Sequence, residues 1–161
     1  MTQDTYYVAA DAIDDMPGQE KVHFLNDKAR RTEKSLAALT GLSEIDFCLV
    51  EVDPGDETTE HHKHYHEEEC LYVLHGTGTA RIGAESREVH AGDFVGFRKG
   101  GLAHSLKNTG EETLRCIIVS QRKHHDVSDY PRCGKRLFRN KDLTWNLVDL
   151  TVIDRPFGAK T

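Results

Sequence analysis

Between residues 45 and 120 the chain reads as short apolar runs separated by glycine turns. Residues 45–52 (Ile-Asp-Phe-Cys-Leu-Val-Glu-Val) are rich in β-branched and aromatic side chains and stop at Pro54-Gly55. Further runs at 70–74, 77–82, 87–90, 94–97, 103–107 and 114–120 are separated by turns that include Gly76, Gly83, Gly92 and Gly100-Gly101. Turn signals recurring about every eight to twelve residues predict an all-β sandwich or barrel. The flanks lack this alternation. Residues 1–44 read as an irregular N-terminal arm, with enough Ala, Leu, Lys and Glu over 29–39 for a short helix; an extended arm across the barrel or a partner is the equal alternative, because the apolar spacing there is weak. Residues 121–131 are polar, and 143–153 form one more apolar, strand-like stretch. The expected organisation is an arm over 1–44, a barrel core over 45–120, and an extension over 121–161 that packs on the barrel or on a second subunit.

At 161 residues one domain can bury a core without disulfide staples. A net charge of -6 and a pI near 5.9 argue against a general nucleic-acid or acidic-membrane surface. The densest basic cluster, Lys28-Ala29-Arg30-Arg31, reads as a solvated segment. No apolar run reaches membrane-spanning length and the N-terminus lacks a basic-then-apolar signal, so the expectation is a cytoplasmic protein. Cys48, Cys70, Cys116 and Cys133 form no Cys-x-x-Cys pair, which argues against a structural zinc knuckle. Three of them lie in apolar stretches, as small hydrophobes do; Cys133 lies in a polar turn.

Candidate chemistry concentrates in two glycine-bracketed segments. The first, from Gly55 to Gly76, carries His61, His62, His64, His66 and Glu69; the second, from Gly92 to Asn108, carries His104. His62 and His64 are two apart, so on a strand both imidazoles face the same side. Glu69 is an odd number of residues further on and shares that side only if the chain turns between them, which the charged stretch 65–68 permits. His104 then arrives from a later strand, placed by the Gly100-Gly101 turn. His64 and His66 are an alternative pair, but leave a cramped turn before Glu69. With His62 and His64 as the pair, His61 and His66 fall at the rim, His61 as an exposed imidazole, and Glu67 and Glu68 read as surface charges. Three nitrogens and one oxygen without thiolate suit one divalent transition metal: Fe, Mn, Zn, Ni or Co. Four protein ligands leave positions open for water or substrate, as in catalytic sites.

These strings carry a family resemblance. Gly55…His62-Lys63-His64…Glu69…Gly76 resembles the first cupin motif, and Gly92…Gly100…His104…Asn108 the second. Looser likeness to small single-domain bacterial cupins, many described as sugar-phosphate isomerases, runs from about residue 40 to 131. The resemblance implies a double-stranded β-helix, a small jelly-roll barrel, with the metal held by His62, His64, Glu69 and His104, and a homodimer. In two places the chain departs from the pattern: Arg98 stands where the second motif has proline, and the spacing from Gly100 to His104 is one residue longer.

The fold hosts many chemistries, so the resemblance does not fix a reaction. The leading expectation is an isomerase of a sugar or sugar phosphate, with a metal-polarised carbonyl and proton transfer through an enediol. Glu67, Glu68, Tyr65 and Tyr72 are the acid–base candidates, although alternation with Leu71 and Val73 turns Tyr72 away from the metal. Arg98 or Arg81 is available to a phosphate. The alternatives are a mononuclear non-heme metal dioxygenase and a non-enzymatic metabolite sensor; the chain has no helix-turn-helix for reading DNA. In each case the expected partner is a small molecule.

Overall fold

The computed structural model describes residues 5–156 and 158. In chain order the elements are α1 (Ala10–Asp15), β1 (Gln19–His23), β2 (Asn26–Ser35), α2 (Leu36–Thr40), β3 (Ile45–Val52), β4 (Lys63–His64), β5 (Glu69–His75), β6 (Thr77–Ile82), β7 (Glu85–His90), β8 (Phe94–Phe97), β9 (His104–Asn108), β10 (Leu114–Gln121), β11 (His125–Tyr130), β12 (Lys135–Asn140) and β13 (Asn146–Asp149), closed by a 3-10 turn at Leu150–Val152. All pairings are antiparallel. One sheet runs β1-β2-β3-β10-β5-β8; the others run β7-β6-β9 and β13-β12-β11-β4. An isolated bridge between His62 and His104 joins the segment entering β4 to β9, so the two smaller sheets meet at a pair of histidines. This is the all-β, double-stranded β-helix architecture expected from the sequence.

The core lies between the layers. Val50 and Val52 on β3, Val73 on β5, Ala80 on β6, Leu106 on β9 and Leu114 on β10 are almost fully buried and form one cluster. Each such aliphatic side chain stabilises by roughly 1.5–3 kcal/mol when taken out of water. The same inward faces change character along the strands. On β3 the every-second-residue series runs Asp46, Cys48, Val50, Val52; on β10 it runs Leu114, Cys116, Ile118, Ser120; on β5 it runs Glu69, Leu71, Val73. Strand pairing sets Ser120 beside both Asp46 and Glu69. One end of the barrel is therefore apolar and packed, and the other is polar. The candidate site lies at the polar end.

The flanks differ from the sequence reading. The segment expected to be an irregular arm contains a β1–β2 hairpin built into the large sheet, with β2 paired to β3. The helix expected over 29–39 is confined to Leu36–Thr40, capped by the Ser35 hydroxyl accepting from the Ala38 amide and ended by Gly41 in the left-handed region. Helix propensity loses to the ladder with β3 because β2 lies over the polar end of the barrel. Its inward residues include Arg31 and Glu33, so the alternation there is not hydrophobic. The polar stretch after residue 120 likewise holds β11, whose residues Asp126, Ser128 and Tyr130 are buried. The apolar stretch 143–153 contributes β13, paired to β12 of the same chain, and the 3-10 turn; the last residues of the expected extension, 157 and 159–161, lie outside the described residues. No helix among the described residues is long and apolar enough to cross a membrane.

Candidate metal centre

His62 and His64 reach the polar end on opposite sides of Lys63, which begins β4. His62 is bridged to His104 through both backbone amides: His62 N donates to the His104 carbonyl at 3.0 Å and His104 N to the His62 carbonyl at 2.7 Å. His64 pairs with Ser128 of β11. The chain bends over 65–68, and Glu69 opens β5 between Ser120 and Phe97. Gly100, at φ +66°, donates its amide to the His64 carbonyl at 2.8 Å, tying the turn before β9 to β4.

Three of the side chains expected as ligands, His62, Glu69 and His104, form one group of donor atoms; His64 adjoins it through His62 and is also grouped with Glu67 and Asp126. The Nε2 atoms of His62 and His64 are 3.0 Å apart. His104 Nε2 is 3.9 Å from Glu69 Oε1, and one donor atom each of His62, Glu69 and His104 lies within 4.8 Å of the others. Each imidazole is oriented by an oxygen on its far side. The Nδ1 of His62 donates to the Glu60 carbonyl at 2.8 Å, that of His104 to the Leu102 carbonyl at 3.3 Å, and that of His64 to Asp126 Oδ2 at 2.6 Å. With the proton on Nδ1 in all three rings, the Nε2 lone pairs are left available to a cation. The Phe97 ring stacks on His104 at 3.6 Å between centroids and 3° between planes, fixing its tilt.

Electrostatics favour the ligand forms of the histidines. Burial, together with the neighbouring His104 and His64, holds the His62 imidazole well below its ordinary value. Burial lowers His104 to about 4. Both rings are thus neutral near pH 7. Burial also raises the Glu69 carboxyl, and a cation beside it favours the carboxylate. His104 Nε2 is buried and has no hydrogen-bond partner among the described residues. An orphaned nitrogen beside a desolvated carboxyl and two facing imidazole lone pairs is the environment a divalent cation satisfies, so the residues fit such an ion.

Several other expectations are corrected. His61 is buried rather than exposed, its Nδ1 3.2 Å from the Ser105 hydroxyl. Glu67 is not a surface charge: it is 2% exposed, ion-paired to Arg139, and accepts the Lys123 amide at 2.6 Å. Glu68 is exposed as expected; so is His66, whose ring packs on His125 and stays out of the cluster. Tyr65 donates its hydroxyl to Asp129 at 2.7 Å, and Tyr72 is 42% exposed. Of the four acid–base candidates, none lines the cavity beside the cluster. Arg81 and Arg98 are exposed and do not line it either. All four cysteines are free thiols, with Cys48 and Cys116 buried.

That cavity measures about 220 Å³ and has His62, His64 and Glu69 in its wall. It holds residues the sequence reading passed over. Arg31, from the cluster read as solvated, donates to Glu33 at 3.0 Å and to the Thr58 carbonyl; Arg122 is paired with Asp46, and Arg139 reaches in from β12. His23 and Tyr130 also line it, their rings 5.4 Å apart. The Leu25 amide donates to His23 Nδ1 at 3.1 Å, which leaves the His23 proton on Nε2. No period or spacing in the sequence joins these residues, because His23 comes from β1, Arg31 and Glu33 from β2, Asp46 from β3, Arg122 from just after β10, Tyr130 from β11 and Arg139 from β12.

A family model described as Cupin domain matches residues 48–120. A protein of Acidithiobacillus ferrooxidans, whose assignment as a sugar phosphate isomerase is provisional, is 45% identical; the match covers 93% of this chain and 96% of that one, with a TM-score of 0.90. A Silicibacter pomeroyi protein described as a sugar phosphate isomerase from a cupin superfamily is 18% identical over 94% of this chain and 97% of that one, with a TM-score of 0.79, and attests the fold alone. The polyketide cyclase RemF of Streptomyces resistomycificus, at 23% identity, 58% and 66% coverage and a TM-score of 0.51, shares only the barrel. No protein of curated function matches this sequence.

Proposed function

We propose, from the premise that the chain belongs to the cupin family, that it is a metal-dependent isomerase of a sugar or sugar phosphate. The observation that carries this reading is the pairing, in one cavity of about 220 Å³, of convergent metal-type donors with three guanidiniums. His62, His64, Glu69 and His104 would hold the ion; when bound, it polarises a carbonyl and acidifies an adjacent hydroxyl. Arg31, Arg122 and Arg139 line the cavity together with Glu33, Asp46 and Glu69, three guanidiniums and three carboxyl groups, with Arg31 paired to Glu33 and Arg122 to Asp46. An added divalent cation makes the balance positive, which suits an anionic substrate such as a phosphate monoester. The 45% identical Acidithiobacillus ferrooxidans protein, provisionally assigned as a sugar phosphate isomerase, points the same way.

The remaining polar groups supply donors. His23 is neutral near pH 7, because burial and then the Arg31 guanidinium lower it to about 4, so its Nε2–H donates to a substrate oxygen without adding charge. Burial pushes the Tyr130 hydroxyl up to about 12, which keeps it protonated and a donor as well. Phe24 and Trp145 border the cavity and limit water.

The test is isomerisation of a panel of aldoses, ketoses and their phosphates by protein reconstituted separately with Mn(II), Zn(II), Co(II), Ni(II) and Fe(II). NMR in deuterium oxide reads both conversion and solvent deuterium entering next to the carbonyl. Exchange that persists without oxygen supports the isomerase. Oxygen consumption on substrate addition, or no exchange across the panel with any metal, overturns it.

A further inference from the structure

The segment that follows the barrel, outside residues 48–120, reaches back to one candidate ligand. Asp126 on β11 is 1% exposed, and its Oδ2 accepts from His64 Nδ1 at 2.6 Å. The carboxylate is held on other sides too: the His66 amide donates to Oδ1 at 3.1 Å and the Ser128 hydroxyl to Oδ2 at 3.2 Å. Strand register explains the arrangement. Ser128 is paired with His64, and Asp126, two residues earlier, lies on the same face of β11. In the next strand Arg139 is the register partner of Asp126, with its guanidinium 3.9 Å from Oδ2. Arg139 is also ion-paired to Glu67, whose Oε1 accepts the Lys123 amide. A chain of buried charges thus runs from the bend after β4, through β12, to the back of the His64 ring.

Two near-fully buried carboxylates are an expensive means of stabilisation; well-packed apolar residues would serve a purely structural purpose as well. Their arrangement has a specific consequence at His64. A carboxylate on Nδ1 fixes the tautomer, orients the ring and makes Nε2 a stronger donor. β4 is only two residues long and, among the described residues, β11 is its one paired strand, so the ring's backbone also depends on the extension.

We infer that the segment after the barrel completes the metal centre: Asp126 is a positioning residue that fixes and strengthens His64 as a ligand, and the Arg139–Glu67 pair holds Asp126 in place. This rests on the metal-binding part of the proposed function and not on the reaction assigned to it.

The experiment uses the full chain, stripped with chelator, as wild type, Asp126→Asn and Asp126→Glu. Co(II) affinity is measured by calorimetry, and long-range proton–nitrogen NMR of the metal-free protein reads which His64 nitrogen carries the proton. Asp126→Asn is expected to weaken Co(II) binding about 10- to 100-fold, with Asp126→Glu recovering part of the loss and the wild type protonated at Nδ1. Wild-type His64 protonated at Nε2 overturns the inference even if no variant folds. So does a folded Asp126→Asn that binds Co(II) within about twofold of wild type, short of the roughly 10-fold minimum loss expected. If wild type itself binds no Co(II), both the metal reading and the inference fall. Co(II) binding without turnover removes the isomerase alone.

Discussion

The Nε2 atoms of His62 and His64 face each other at 3.0 Å while both Nδ1 atoms are committed to oxygens behind them. With the proton on Nδ1 alone, the two imidazoles present lone pair to lone pair, an arrangement that a cation between them stabilises. With His104 and Glu69 nearby, the protein is expected to bind one equivalent of a divalent transition metal and to gain thermal stability from it. At about a hundredfold excess of free metal over Kd the gain is about 2.7 kcal/mol. His104→Ala is expected to lose stoichiometric metal while the barrel still folds, because the ring sits at the polar end and not in the apolar cluster. Metal analysis after gel filtration, with circular dichroism of the same sample, checks both halves. A variant that keeps a full equivalent removes His104 from the shell.

Arg31 provides a test of the substrate's charge. Its guanidinium lines the cavity and is carried by the β1–β2 hairpin, away from the metal-type donors in sequence. Arg31→Gln is expected to raise KM for a phosphorylated substrate by roughly 10- to 100-fold, the equivalent of about 1.5–3 kcal/mol for hydrogen bonds to a charged group. The unphosphorylated analogue should be affected far less. Equal losses for the two would show that Arg31 serves the fold through Glu33 and the Thr58 carbonyl, and not the ligand.

Legibility in the sequence follows which way the inward side chains are coloured. β3, β5, β6, β8 and β10 declare themselves because their inward positions are largely apolar, and the boundaries of β3, β6 and β8 coincide with the runs read from sequence. β2 and β11 line the polar end with Arg31, Glu33, Asp126 and Ser128, so their alternation carries no hydrophobic signal. The His62–His64 spacing shows as two residues on one side of a strand, and the structure brings both to Glu69 and His104 despite Arg98 and the longer reach from Gly100. Glu67 and Arg31 look solvated locally; their burial is set by partners on distant strands. His61 is misread for the same reason, since Ser105 comes to it from β9.

Asn108 closes the second motif with three hydrogen bonds and no exposure. Its side-chain nitrogen donates to the Val52 carbonyl at 2.7 Å and the Glu112 carbonyl at 2.8 Å, and its oxygen accepts the Gly110 amide at 3.0 Å. Asn108→Ala strands these backbone groups at the end of β9 and leaves a small void beside Val52. A loss of about 2–4 kcal/mol is expected, read from urea unfolding of the metal-free protein. A loss under about 0.5 kcal/mol, the range of an ordinary surface substitution, would mean that water replaces the amide without cost.

His23 gives the fold a dependence on pH that is separable from the metal ligands. Burial, and after it Arg31, hold the folded imidazole at about 4, against 6.5 in the unfolded chain. Between those values the unfolded state binds the proton and the folded state does not, so stability rises with pH across the window and falls on acidification from 6.5 toward 4. The contribution is constant above 6.5, where neither state is protonated. His62 and His104 are also lowered and add slope of the same sign in metal-free protein. His23→Gln removes one of these titrations and keeps a polar side chain beside Tyr130. Melting temperatures of chelator-treated wild type and His23→Gln are compared from about pH 7.5, above that window, down to about 4.5 inside it; the wild type is expected to lose more than the variant as the pH falls, so that any lead it holds near neutrality shrinks or reverses. Parallel curves would place the His23 ring in water and withdraw it from the cavity's set of neutral donors.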